Sequence, residues 1–291
     1  PIDLLIGGSP CQGFSLAGKQ LNFNDPRSAL FFEYVRILQE IREYNPGVKF
    51  LLENVVMRKE YENVISDRLG LFPVMINSAL VSAQNRERLY WTNIRTRSVE
   101  NLFDTSVYTD IPQPTDKGPY LCDILDEDVP PNYFLTPEQI RRLDEIRESM
   151  EDTDDEPYCG GASLFEEDVG VDTLDEAIAR SRAESAANDS VRIISGTIVS
   201  KKFGGGIRPI KSGKAGCLLA SAKIGGCGQD VCVFVKGDET AVRRLTAAEY
   251  CRLQTIPEWY EWVCDESKMC KMLGNGWTVD VIRHIFKFLK S

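Results

Sequence analysis

Apolar positions along the first 94 residues fall into short unbroken runs and longer helix-spaced stretches. DLLIGG (3–8) is an apolar run closed by glycines, the form of a buried strand in a parallel sheet. From Ser28 to Tyr44 the apolar residues Leu30, Phe31, Tyr34, Val35, Leu38 and Ile41 keep helical spacing, and Asn45-Pro46-Gly47 stops it. FLLENV (50–55) predicts a second buried strand, followed by a polar helix at about 59–69. An apolar run at 71–76 and the strand-like RLYWTNI (88–94) come next. Alternating strand and helix of this length predicts an α/β, doubly wound sheet.

After Thr96 the pattern loosens. Residues 105–135 are rich in Pro, Asp and Tyr, 136–150 opens a short helix with Thr-Pro-Glu, and 151–190 is acidic and Ala/Ser-rich, predicting a mobile insertion. Short β-type runs (VRIISGTIV, CVFV) separated by glycine clusters fill 191–235. RRLTAAEYCRLQ (243–254) returns to helix, with Thr246 as N-cap and Glu249 three residues on. WTVDVIRHIFKFLK then predicts an amphipathic helix with Val279, Ile282, Ile285, Phe286 and Leu289 on one face, packing back on the first part. The expected organisation is a catalytic α/β domain formed by 1–99 and 241–291, interrupted by a loop-rich lobe at 100–240, with a cleft between the two.

Composition narrows the class. Of the 291 residues, 43% are hydrophobic and 27% charged, an ordinary globular balance that excludes collagenous, coiled-coil or disordered chains. No apolar run approaches the roughly 18 residues of a membrane span, and PIDLLIGGSPC does not read as a signal peptide, so a soluble, cytoplasmic protein is expected. The nine cysteines are odd in number and form no paired CxxC units, which argues for reduced thiols over a disulfide framework or structural zinc. With His284 as the one histidine, a Cys–His hydrolase or a multi-histidine metal site is disfavoured, and no metal is expected. The net charge of −10 is unevenly spread: 101–190 carries 24 acidic and 6 basic side chains, whereas 191–230 carries seven basic ones against Asp230. That strip (Arg192, Lys201, Lys202, Arg208, Lys211, Lys214, Lys223) fits either a polyphosphate footprint or a solvated loop.

Three groups suggest chemistry. Pro10-Cys11 follows directly on the first strand, and ligands of open α/β sheets bind beyond the carboxyl ends of strands. Cys11 is thus either an exposed reactive thiol or a buried structural one. Glu53 closes the apolar run FLL, where an ionisable group needs a partner or a task, helix capping being the plainer one. In Gln84-Asn85-Arg86-Glu87-Arg88, strand alternation places Gln84, Arg86 and Arg88 on one face, as two converging guanidinium groups or a surface salt-bridge ladder.

GGSPCQGFS (7–15), ENV (53–55), QNRER (84–88), RRLTAAEYCRLQ (243–254) and GNGWTVDVI (274–282) together resemble, in order, the motifs of the DNA cytosine-5 methyltransferases of phage and bacterial type. The resemblance covers 1–94 and 241–291, about half the chain. It implies a Rossmann-like fold dependent on S-adenosylmethionine, with Cys11 adding to cytosine C6, Glu53 acting at N3 and the exocyclic amine, and Arg88 contacting O2. Arg86 would order the carboxylate and a nearby phosphate, and Pro10, Asn54 and Gln84 would complete the substrate site. Asn275, Gly276 and Trp277 would contact the cofactor. The duplex base must be flipped out to reach such a pocket, which makes 100–240 the expected target-recognition lobe and Gln12 to Gln20 the closing loop, hinged at Gly13 and Gly18.

The family's glycine-rich cofactor-binding turn does not precede Cys11 here. A fragment of a longer product is therefore expected, or one chain of a split enzyme completed by a missing N-terminal segment or partner chain, binding S-adenosylmethionine weakly or not at all by itself. Loss of the sheet's first strands would also leave an apolar edge and helix face exposed. The rival readings are a tRNA cytosine-5 methyltransferase and a non-catalytic DNA-binding remnant.

Overall fold

The computed structural model describes residues 2–8, 30–100, 105–141, 192–198, 207–210, 213–218, 230–236 and 240–290. The chain divides into two compact units: Pro1–Ser78, Glu87–Thr115 and Val281–Ser291 form one, and Ala79–Arg86 with Asp116–Asp280 the other.

In the first unit, β1 (Leu4–Gly8), β2 (Lys49–Val55), β3 (Val74–Asn77) and β4 (Glu87–Thr92) make a sheet in the order β1-β2-β4-β3. Only β1 and β2 run parallel, through the helix α1 (Leu30–Tyr44). The expected parallel sheet is therefore mixed: β4 runs antiparallel to both β2 and β3. A connection of nine residues from β3 to β4 has no crossover helix, and without one the returning strand must reverse.

FLLEN lacks alternation because both faces of β2 are covered, so Phe50, Leu51 and Leu52 are all fully buried. Phe31, Val35 and Leu38 of α1 and Ile65 and Leu69 of α2 (Lys59–Leu69) meet Phe50, Leu52, Leu89 and Trp91 in one core. α2 ends at Gly70 in the left-handed conformation (φ 78°), as a C-cap glycine does. β1 is less buried than its apolar run predicts. It lies at the sheet's edge, and Ile6 is 44% exposed. A hairpin of β5 (Thr96–Glu100) and β6 (Thr105–Thr109) follows.

In the second unit, β7 (Arg192–Ile198), β8 (Ile207–Ile210), β9 (Asp230–Lys236) and β10 (Thr240–Arg244) form an antiparallel sheet in the order β10-β9-β7-β8. The short β runs at 191–235 thus form strands as expected. α3 (Ala247–Leu253) and α4 (Glu266–Asn275) contribute Tyr250, Leu253, Met269 and Leu273 to a core with Ala83, Leu121, Ala215, Leu218 and Val233. Thr246 caps α3 as the sequence predicts: its Oγ1 accepts from the Glu249 amide and the Glu249 carboxylate accepts from the Thr246 amide.

The terminal helix α5 (Val279–Phe286) differs from its predicted face. Val281 and Ile285 are the fully buried positions, one turn apart, while Val279, Ile282, Phe286 and Leu289 are only partly covered. His284 sits on its outer side, with Nε2 2.8 Å from the Pro112 carbonyl and its ring edge-on to Phe288. Among the described residues no helix is long and apolar enough to cross a membrane.

Candidate functional site

β1 and β2 fix one end of the site by register. Gly8, the last residue of β1, stands opposite Glu53. Gly7 permits close packing here: a Cβ on it would lie 3.0 Å from the Tyr34 ring. That ring brings α1 down onto the strands, and the Tyr34 hydroxyl donates to the carbonyls of Leu51 (3.1 Å) and Leu5 (3.4 Å). Burial pushes the Tyr34 hydroxyl well above the ordinary phenol range, so it remains a donor, although Arg42 pulls the other way.

Glu53 faces Tyr90 across the β2–β4 pair, which makes Arg88 its diagonal neighbour on the same face. Arg88 Nε lies 3.0 Å from Glu53 Oε1, and the two side chains are 14% and 12% exposed. Arg88 Nη1 also donates to the Glu87 carbonyl at 2.7 Å. Asn54 is buried, and its Oδ1 accepts from the Val55 amide at 2.8 Å, tightening the strand end after Glu53. Of the roles left open for Glu53, the structure shows a charged partner, Arg88, at the end of the second strand. Pro10 and Cys11 lie outside the described residues, as do Gln12 to Gln20.

Gln84 and Arg86 do not join Arg88. β4 begins only at Glu87, so strict alternation does not reach back to them. Both belong to the second unit. Gln84 is fully buried and donates to the Leu253 carbonyl (2.6 Å) and Gln254 Oε1 (3.1 Å). The buried Arg86 guanidinium spreads over four acceptors: Cys217 Sγ and the carbonyls of Leu218, Gly274 and Gly276.

Asn275, Gly276 and Trp277 form the turn that ends α4. Asn275 is exposed and Trp277 partly so. Gly276 is demanded by the backbone, since a Cβ there would meet the Met272 carbonyl oxygen at 2.9 Å. An exposed carboxamide and a half-covered indole at one turn are groups able to hydrogen-bond a ligand and to offer it an aromatic surface. The sequence reading gave no role to Gln254. Its Nε2 donates to the Leu273 carbonyl (2.6 Å) and its Oε1 accepts from Thr278 (2.9 Å), so it braces this same turn. Its place directly after an apolar helix end was the only available signal.

In the basic strip, Lys214 is a structural staple: its Nζ donates to the carbonyls of Ala79 (2.6 Å), Pro119 (2.8 Å) and Ser82 (3.3 Å). Burial lowers its pKa, against the pull of Asp116 and Asp123. The other six basic side chains of the strip lie outside the residues whose side chains are described. Among the described residues no cluster of His, Cys, Asp and Glu could hold a metal ion.

A family model described as C-5 cytosine-specific DNA methylase matches residues 1–291. The chain is 30% identical to Type II methyltransferase M.HaeII of Haemophilus aegyptius over 297 residues, covering 97% of this chain and 72% of that protein. Against M.Eco47II of Escherichia coli it is 56% identical over 107 residues, 32% of this chain and 24% of that relative. Among solved structures, the S. pombe Dnmt2 methyltransferase shares the fold with a TM-score of 0.54 at 16% identity, covering 99% of this chain and 77% of that one.

Proposed function

The chain belongs to the C-5 cytosine-specific DNA methylase family, and from that premise we propose how its residues carry out methyl transfer to cytosine in duplex DNA. The carrying observation is the Gly8–Glu53 register. Two residues, Ser9 and Pro10, separate Gly8 from Cys11, so chain connectivity alone keeps their Cα atoms within about 11 Å. The chain that bears the thiol thus leaves β1 beside the Glu53–Arg88 pair.

In this reading the Cys11 thiolate adds to C6 of a flipped-out cytosine, which makes C5 nucleophilic. Glu53 holds a proton at N3 and accepts from the exocyclic amine, and Arg88, aligned by Glu53, donates to O2. Pro10 and Asn54 shape the walls around the base. S-adenosylmethionine supplies an electrophilic methyl group, and Asn275, Gly276 and Trp277 are the residues of this chain that would hold it. Loss of the C5 proton then expels Cys11. Residues 100–240, which contain β7, β8 and β9, are the proposed target-recognition region, with 151–190 its acidic insertion.

Covalent capture tests this. Duplex DNA containing 5-fluorocytosine, with S-adenosylmethionine present, is expected to give a denaturant-resistant adduct that Cys11→Ala abolishes. Capture of tRNA instead of DNA would turn the assignment to a tRNA methyltransferase. Absence of an adduct, with DNA binding unaffected by Cys11→Ala, would support a non-catalytic DNA-binding protein.

A further inference from the structure

We infer that Arg86 is a positioning residue that ties the cofactor turn at 274–277 to the 215–218 segment of the target-recognition region; the inference rests on the reading of that turn given above. Helix α4 ends with carbonyls that have no partner within the helix, at the negative end of its dipole. A guanidinium suits that position because it carries charge and a planar fork of donors. Arg86 Nη2 takes the carbonyls of Gly274 (3.1 Å) and Gly276 (2.8 Å), on either side of Asn275. Gln254 takes the carbonyl of Leu273 just before them.

The other arm of the same guanidinium, Nη1, holds the Leu218 carbonyl (3.0 Å) and Cys217 Sγ (3.1 Å). Segment 215–218 is already paired to the segment just before Arg86: the Ala215 amide donates to the Ala83 carbonyl (2.7 Å), and the Asn85 amide to the Ala215 carbonyl (2.8 Å). Gln84 adds a second link, accepting from the Leu218 amide (3.4 Å) and donating to Gln254 Oε1 (3.1 Å). One rigid side chain therefore has a fork in each segment. Displacement of 217–218 on DNA binding would be transmitted to the carbonyls that shape the cofactor turn, and the reverse would follow by linkage. The geometry moves Arg86 from a phosphate contact to this connecting role.

The test uses the full chain labelled with 5-fluorotryptophan. Its four tryptophans (91, 259, 262, 277) give four resonances, and Trp277→Phe assigns the one that matters. Arg86→Lys keeps the charge but loses the fork, and is expected to shift or broaden the Trp277 resonance while leaving Trp91 in place. It should also speed amide exchange at Leu218 by about 10-fold, the loss of one charge-assisted hydrogen bond. Gly276→Ala disturbs the turn from the opposite end and is expected to speed Leu218 exchange as well.

General loosening of the fold would move Trp91 with Trp277 and would overturn the inference. So would a Leu218 amide indifferent to Gly276→Ala. S-adenosylhomocysteine separates the two readings: if it leaves wild-type Trp277 unmoved while Arg86→Lys moves it, Arg86 positions the turn but the turn is not a cofactor wall.

Discussion

Glu249–Arg243 and Glu53–Arg88, one Glu–Arg pair from each unit, differ in how far they are enclosed. Glu249 and Arg243 form a forked pair, with Nη2 at 2.8 Å from Oε1 and Nη1 at 2.9 Å from Oε2. The carboxylate also accepts from the amides of Thr246 (2.7 Å) and Asp126 (2.8 Å). The side chains are 0% and 3% exposed, and every strong acceptor direction of Glu249 is in use. Arg88 Nε lies 3.0 Å from Glu53 Oε1, and those two side chains are 14% and 12% exposed. The fully buried pair joins a strand to a helix and is closed to a ligand, whereas the Glu53–Arg88 pair keeps some exposed surface at the end of a strand. The same residue types thus yield a scaffold in one unit and a candidate catalytic group in the other.

The sharpest test of that contrast is Glu53→Gln. Methyl transfer is expected to fall about 100- to 10,000-fold, the usual worth of a positioned acid, with stability changed by about 1 kcal/mol. Radiolabelled methyl incorporation and a urea titration would read both. Glu249→Gln should do the reverse, costing about 3–5 kcal/mol because it strands a buried guanidinium. Equal stability losses for the two variants would erase the distinction.

Smaller effects refine it. Gly276→Ala should cost about 1–3 kcal/mol by forcing the α4 end away from the Met272 carbonyl, seen as a lower melting temperature. Thr246→Ala, which removes the cap beside the sealed pair, should cost about 1 kcal/mol. The smallest is Asp126→Asn. Burial works to raise the Asp126 pKa, but hydrogen bonds from Arg252 and Thr246 outweigh it and hold the carboxyl below its usual value. A depressed folded-state pKa stabilises above the unfolded value of about 4, and the contribution disappears as pH falls through the folded one. Asp126→Asn should therefore lower stability near pH 6 by about 0.2–1 kcal/mol, and the difference from wild type should vanish toward pH 2 in acid titrations followed by circular dichroism.

The sequence by itself determined much of this protein. The runs and spacings of 30–44, 49–55 and 59–69 emerge as helix, strand and helix with nearly their expected limits, because apolar periodicity and the stops Asn45-Pro46-Gly47 and Gly70 act locally. The cap of α3 and the motif order are equally local. Tertiary structure alone decided the direction of β4 and the fates of Gln84 and Arg86. Side-chain alternation holds only inside a strand, and the start of β4 at Glu87 is set by its antiparallel pairing with β2 and β3, which no local pattern encodes. It also decided how completely Glu249 is sealed: Arg243 and Thr246 are local partners, but the Asp126 amide that completes the set comes from 123 residues away.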